Sequence, residues 1–361
     1  MLRYLLMLLC LPALAHAQQS AKPVQVGASL HRGFIIHHSR ELIDVSSSLP
    51  TGFECQINWL LADEKHVREA GLIARRGISL YYMNFNNPEI LGHSLAVVPY
   101  VEPLIRPGKR LHGSFQLGLG VAYLSKVYDA ESNPDNLFFS SPISFWAMVN
   151  ARAHYRINPQ WQASLGLNYN HISNGGMKEP NKGMNFPTFN AGVQYQLQPV
   201  HLQKPLKNQD WKQEPRTFQY LLAVGSVKNI PSSQDYPEVE ATLLLGGQWM
   251  IGRRVGRMSG LSVGTEWLYE GYAAVQNERN GRDQRAIKGA LLLGHELLVG
   301  RVRFTIHLAP YVYNPSRGQD DPLYQRYGLY YRFGKHLLLG STLKAHRHVA
   351  DVADVRVGWL F

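Results

Sequence analysis

Apolar and polar side chains alternate along most of the chain. Between Leu111 and Tyr123 the apolar residues fall on odd-numbered positions, and His, Ser, Gln, Gly and Ala occupy the even ones. A period of two residues is that of a β-strand, whose side chains point to opposite faces in turn. The same pattern returns at 239–249, 302–308 and 355–361. The sequence is therefore predicted to be all-β.

The two faces of these strands differ in composition. One face is apolar and ends in Tyr or Trp, whereas the other carries Gly, Ser, Gln, Arg and Glu. Lipid outside and water inside produce this division, because backbone amides within a bilayer need partners that a closed sheet supplies. After residue 17 no run of 18 or more apolar residues remains, which excludes a bundle of membrane-spanning helices. The fold class predicted is a transmembrane antiparallel β-barrel.

Turn lengths predict the topology of this barrel. Tight connections occur at 106–109, 158–160, 299–301 and 333–335, and they are expected on the periplasmic side, opposite the long polar loops. We expect about 16 strands in one barrel over residues 18–361. Fourteen strands are the alternative, because the segments 53–61 and 77–83 are short and weakly patterned. Residues 62–76 and 199–216 are unusually long for periplasmic turns.

The amino terminus and the net charge predict location and partner. A basic start, an apolar core and Ala15-His16-Ala17 predict a signal peptide at residues 1–17, so the protein is expected in the outer membrane of a Gram-negative bacterium. Without Arg3 the chain has 36 basic and 26 acidic residues. Such a balance suits a polyanion, and in an exported protein the phosphates of lipopolysaccharide are the expected partner, with no nucleic acid.

Candidate chemistry lies in the strand predicted at 161–173. His171 and Ser173 have the parity of the apolar residues Leu165, Leu167 and Tyr169, so both are expected to face lipid at the outer headgroup level. Two residues on one face of a strand are roughly 6 to 7 Å apart, within reach of a contact between imidazole and hydroxyl. The alternative is an ordinary polar barrel rim.

The run from His171 to Asn185, HISNGGMKEPNKGMN, resembles the active-site segment of the lipid A 3-O-deacylase family, also called acyloxyacyl hydrolases. Weaker resemblance includes 118–124 and 133–136, and the similar region covers about residues 80–200. The resemblance implies an outer-membrane esterase that removes an ester-linked (3-hydroxy)acyl chain from lipid A. In that mechanism Ser173 is the nucleophile and His171 its base, and Asn174, Gly175 and Gly176 form the oxyanion hole. It needs no cofactor and no metal.

The sequence departs from the family at the residue that orients the histidine. Characterised members have Glu where this chain has Asn185, and Glu179 in the same loop is the alternative acid. An amide accepts a hydrogen bond from imidazole but does not stabilise the imidazolium by charge. The competing hypothesis is therefore a non-enzymatic barrel, either a pore or a catalytically silent relative, and a soluble secreted esterase is the third.

His37, His38, His346 and His348 lack the neighbouring ligands of a metal site. The sequence leaves the oligomeric state open.

Overall fold

The computed structural model describes residues 25–62, 67, 71–175, 178, 180–198, 215–230, 240–283, 285–315, 321–347 and 349–361. The predicted signal peptide lies outside these residues. Sixteen antiparallel β-strands, β1 to β16, form the fold: Gln25–Gly33, Thr51–Leu61, Ala74–Asn84, His93–Ile105, Leu111–Leu124, Ile143–Arg156, Trp161–Ser173, Met184–Gln196, Thr217–Ile230, Glu240–Arg254, Ser259–Glu270, Ile287–Val299, Val302–Tyr313, Leu323–Phe333, Leu337–His346 and Val349–Leu360. The all-β class and the strand number of 16 are confirmed.

The strands close into two barrels, so the expectation of one sixteen-stranded barrel is wrong in this respect. Strand β8 pairs with β1, and β16 pairs with β9, which gives two closed sheets of eight strands. The edge of β8 that a larger barrel would offer to β9 is occupied by β1 from residue 188 to residue 196. Residues 197–216 are thus the connection between two barrels, which accounts for a segment too long for a periplasmic turn.

Each barrel is filled by side chains with paired charges. In the first barrel Glu54 accepts hydrogen bonds from Arg152 at 2.5 Å and Ser79 at 2.6 Å. In the second barrel Glu266 lies 2.5 Å from Arg326, and both are fully buried. Lumen-facing acids and arginines thus neutralise one another in both barrels. A buried carboxylate needs such partners, and an interior filled in this way argues against a water-filled pore.

The register of the first barrel fixes the tilt of its strands. A path through directly paired residues leaves β7 at Ser173 and returns to it ten residues nearer the periplasmic end. It passes through Phe145, Val121, Val97, Leu80, Cys55, Ala28, Val193 and Ala163. This stagger corresponds to a tilt of about 40°. Directly paired residues are therefore not at the same height in the membrane. From β7 to β8, and again from β8 to β1, the residue at the same height lies slightly more than one position nearer the periplasmic end than the paired residue.

One α-helix, α1 (Gly271–Arg279), follows β11. Of the helices in the described residues, none has the length and apolar character needed to cross a membrane.

Candidate active site

Strand β7 carries His171 and Ser173 on its outward face, as the sequence predicts. Both are half-buried, while Ile172 between them is fully buried inside the barrel. Leu165, Leu167 and Tyr169 precede them on the same face and are exposed. The apolar band with a terminal aromatic places the two polar residues just beyond the hydrocarbon layer on the extracellular side.

Asn185 on β8 holds the imidazole of His171. The two residues are directly paired across the ladder, and Nδ1 of His171 lies 2.7 Å from Oδ1 of Asn185. A hydrogen bond in which Nδ1–H donates to this oxygen leaves Nε2 unprotonated. That tautomer is the one a general base requires. The orienting position expected at Asn185 is thus in contact with His171.

Gly183 packs closely against both residues. A Cβ atom at this position would lie 3.0 Å from Cε1 of His171 and 3.2 Å from Cβ of Ser173. Its φ of +67° also favours glycine. Among the described residues no hydrogen bond joins His171 to Ser173, but both residues border Gly183. Catalytic hydrogen bonds are often long before substrate binds.

The residues after Ser173 differ in their roles. The backbone N–H of Gly175 donates to Oγ of Ser173 at 3.2 Å, which aims one amide at the candidate nucleophile. Asn174 is fully buried, and its Nδ2 donates to Oγ of Ser140 and to the carbonyl of Lys178. Its side chain is therefore turned away from Ser173, and the expectation that this side chain contributes to an oxyanion hole needs correction. Gly176 and Glu179 lie outside the described residues.

The long loop between β5 and β6 supports the site from behind. The carbonyls of Leu137 and Phe138 accept hydrogen bonds from the backbone of Lys182 and Gly183. Side chains of Asn133 and Asn136, in the second segment of family resemblance, donate to backbone carbonyls at the start of this loop and to the carbonyl of Ile90 in the loop between β3 and β4. These asparagines therefore stabilise the loop. A buried cluster that includes four phenylalanines fills the barrel beneath it: Phe85, Phe138, Phe139 and Phe186.

The described residues hold no group of three or more potential metal ligands. His37 and His38 are exposed in the segment between β1 and β2, and His346 ends β15. His348 lies outside the part of the chain that the structure describes.

An outward-facing serine, histidine and amide at the extracellular rim define a β-barrel with a hydrolase-like site. Residues 55–194 match the family model for lipid A 3-O-deacylase (PagL), and residues 217–361 match that for the acyloxyacyl hydrolase C-terminal domain. Together the two matches cover most of both barrels. The chain belongs to the lipid A 3-O-deacylase and acyloxyacyl hydrolase family, and is an outer-membrane protein. No curated protein matches it.

Three solved structures illustrate the range of similar barrels. The outer membrane enzyme PagL is 18% identical, with a TM-score of 0.33, over 46% of this chain and 97% of its own. Neisserial surface protein A is 12% identical, with a TM-score of 0.34, over 50% of this chain and 100% of its own. A mutant of the Rh. blastica porin is 8% identical, with a TM-score of 0.19, over 94% and 99%.

Proposed function

We propose that the protein is an outer-membrane esterase that removes an ester-linked 3-hydroxyacyl chain from lipid A of lipopolysaccharide. The observation that carries the proposal is the convergence at the outer rim of β7. Oγ of Ser173 accepts a hydrogen bond from the backbone N–H of Gly175, and His171 is held by Asn185 next to Gly183, which borders both residues. An ester just below the headgroups of the outer leaflet would lie at the height of this serine.

In the proposed reaction, Nε2 of His171 takes the proton of Ser173 as Oγ attacks the ester carbonyl. The Gly175 amide donates to the oxygen that becomes negative. The tetrahedral intermediate then collapses to an acyl-serine, and the sugar oxygen leaves with the proton held by His171. Water, deprotonated by His171, attacks the acyl-serine and releases the 3-hydroxy fatty acid. Asn185 keeps the imidazole ring in place through both halves.

Mass spectrometry of lipid A, from cells with and without the expressed protein, tests the proposal. We expect loss of one 3-hydroxyacyl chain with the wild type, and at least about 10³-fold slower loss with Ser173→Ala or His171→Ala. Both side chains face outward, so both variants should still show the heat-dependent gel mobility of a closed barrel.

The second barrel offers a matched control. Oγ of Ser259 lies 2.7 Å from Nε2 of His295, also on an exposed face, but at the strand ends opposite to the candidate site. Ser259→Ala should leave lipid A deacylation unchanged. Full activity in Ser173→Ala would refute the assignment of the nucleophile, and an inert wild type on purified lipid A would favour the silent-relative hypothesis.

A further inference from the structure

The chain continues along β8 after β1 ends, on the side opposite to β7. The backbone N–H of Phe34 donates to the carbonyl of Pro187 at 3.2 Å, and that of Ile36 donates to the carbonyl of Asn185 at 2.8 Å. Residues 32–36 therefore form an extended edge beside the site, and the exposed segment continues to residue 38. The even-numbered side chains of this segment are all exposed, and they are a cation, an aromatic ring, an aliphatic chain and an imidazole: Arg32, Phe34, Ile36 and His38.

The strand tilt places this edge at the height of the candidate site. Arg32 is paired with Phe189, which is paired with Leu167 on β7. The residue at the same height shifts by slightly more than one position per strand in this direction. Over the two steps from β7 to β1, Arg32 is therefore at the height of Tyr169 in the aromatic girdle. By the same relation Ile36 is level with Ser173. The His38 side chain follows two residues beyond Ile36, whose backbone is bridged to Asn185, the partner of His171.

Arg32 is a lipid-facing cation without a partner among the described residues. No described residue forms a hydrogen bond or an ion pair with it. A lipid-facing Arg is destabilising at the bilayer midplane and costs little near the interface, where its long side chain extends toward the headgroups. Glu41, the next acid along the described chain before β2, is bound to Lys182 at 2.5 Å. An anionic lipid headgroup is the partner that this environment supplies.

The opposite side of Ser173 is apolar. Strands β5 and β6 present exposed hydrophobic side chains next to β7, among them Val121, Phe145 and Val149. A lipid bound at Ser173 therefore meets cations on one side and hydrocarbon-like surface on the other.

We propose that Arg32 and His38 form an anion subsite that binds the phosphate groups of the lipid substrate. The subsite orients the phosphorylated sugar toward β1 and directs the acyl chain that is cleaved toward β6. This inference rests on the proposed function for its substrate, but phosphate binding itself does not require catalysis.

Binding is measured with the full-length protein carrying Ser173→Ala, in nanodiscs, so that no turnover intervenes. The ligands are bisphosphorylated lipid A, enzymatically dephosphorylated lipid A and phosphatidylglycerol. For bisphosphorylated lipid A we expect the Kd to rise about tenfold with Arg32→Gln, less with Arg32→Lys, and severalfold with His38→Gln, since a hydrogen bond to a charged group is lost. The matched control is Arg253→Gln, an exposed arginine at the other end of the second barrel.

The ligands separate the outcomes. A loss confined to bisphosphorylated lipid A supports a subsite for the lipid A phosphate, and an equal loss with phosphatidylglycerol supports a subsite for any lipid phosphate. The same loss with dephosphorylated lipid A, an equal loss with Arg253→Gln, or no loss at all overturns the inference. The proposed function is tested in a separate measurement of fatty-acid release by the protein with Ser173 intact. If that protein releases no fatty acid, the proposed function fails.

Discussion

Replacing the amide of Asn185 by a carboxylate is the sharpest test of how His171 is activated. Asn185→Asp is isosteric and keeps an oxygen at the position 2.7 Å from Nδ1 of His171. The imidazolium that forms in the transition state then faces a negative charge. Asn185→Glu provides the same charge on a longer side chain and matches the residue implied by the family resemblance.

The Coulomb relation gives the size of the effect. Two unit charges about 4 Å apart attract by about 1 kcal/mol in water and about 4 kcal/mol at an effective dielectric constant of 20. Because His171 and Asn185 are half-buried, about 1 to 3 kcal/mol applies to this pair. Each 1.4 kcal/mol is a factor of about ten, so kcat should rise about 5- to 140-fold. KM should change little, because the charge develops in the transition state.

The assay is steady-state release of 3-hydroxy fatty acid from purified lipid A in detergent micelles. Asn185→Leu is the companion variant, and it should lower kcat because the imidazole loses the acceptor that fixes its tautomer. If neither Asp nor Leu at this position changes kcat, Asn185 does not orient His171. Should Glu179→Gln then abolish activity, the orienting acid is Glu179, whereas no effect of either change leaves His171 and Ser173 as a dyad.

Three further predictions concern the support of the site and the barrels. Gly183→Ala should lower kcat at least tenfold without blocking barrel assembly, because the new methyl group meets the ring of His171 at 3.0 Å in a backbone conformation that favours glycine. Asn174→Ala should lower activity and expose the loop to protease, since two buried hydrogen bonds, each worth about 1 kcal/mol, are lost; unchanged proteolysis would contradict this. Residues 18–198 expressed alone should assemble and deacylate lipid A, as tested by gel mobility and mass spectrometry, because β1 to β8 close without the second half.

The strands could be predicted from the sequence, but their closure could not. Alternation identifies the outward face of each strand and does not say which distant strand will cover its edge. A barrel of eight strands and one of sixteen therefore present the same pattern. The length of 199–216 was the one visible sign that the chain leaves one sheet before it enters the next.

The alternation of odd and even positions along β7 predicted part of the candidate site. It also indicated the direction in which the other side chains of this strand point. His171 and Ser173 face outward with the odd-numbered residues of β7, as expected. The same parity turns Asn170, Ile172 and Asn174 inward, so the direction of the Asn174 side chain could have been predicted from the sequence. The exposed edge at 32–38 could not, because its position beside β8 depends on closure of the first barrel.

The two barrels close at two separate strand pairings, here called seams, and this has a consequence for assembly. Each barrel is completed by one pairing between its first and last strands, β1 with β8 and β9 with β16. A chain halted after the first seam has formed holds one finished barrel and eight strands with unpaired edges, which are prone to pair with other chains. The terminal Phe361 belongs to the second seam. Its loss is expected to produce a half-assembled protein in which the candidate site is intact and the carboxyl-terminal half is open to proteolysis.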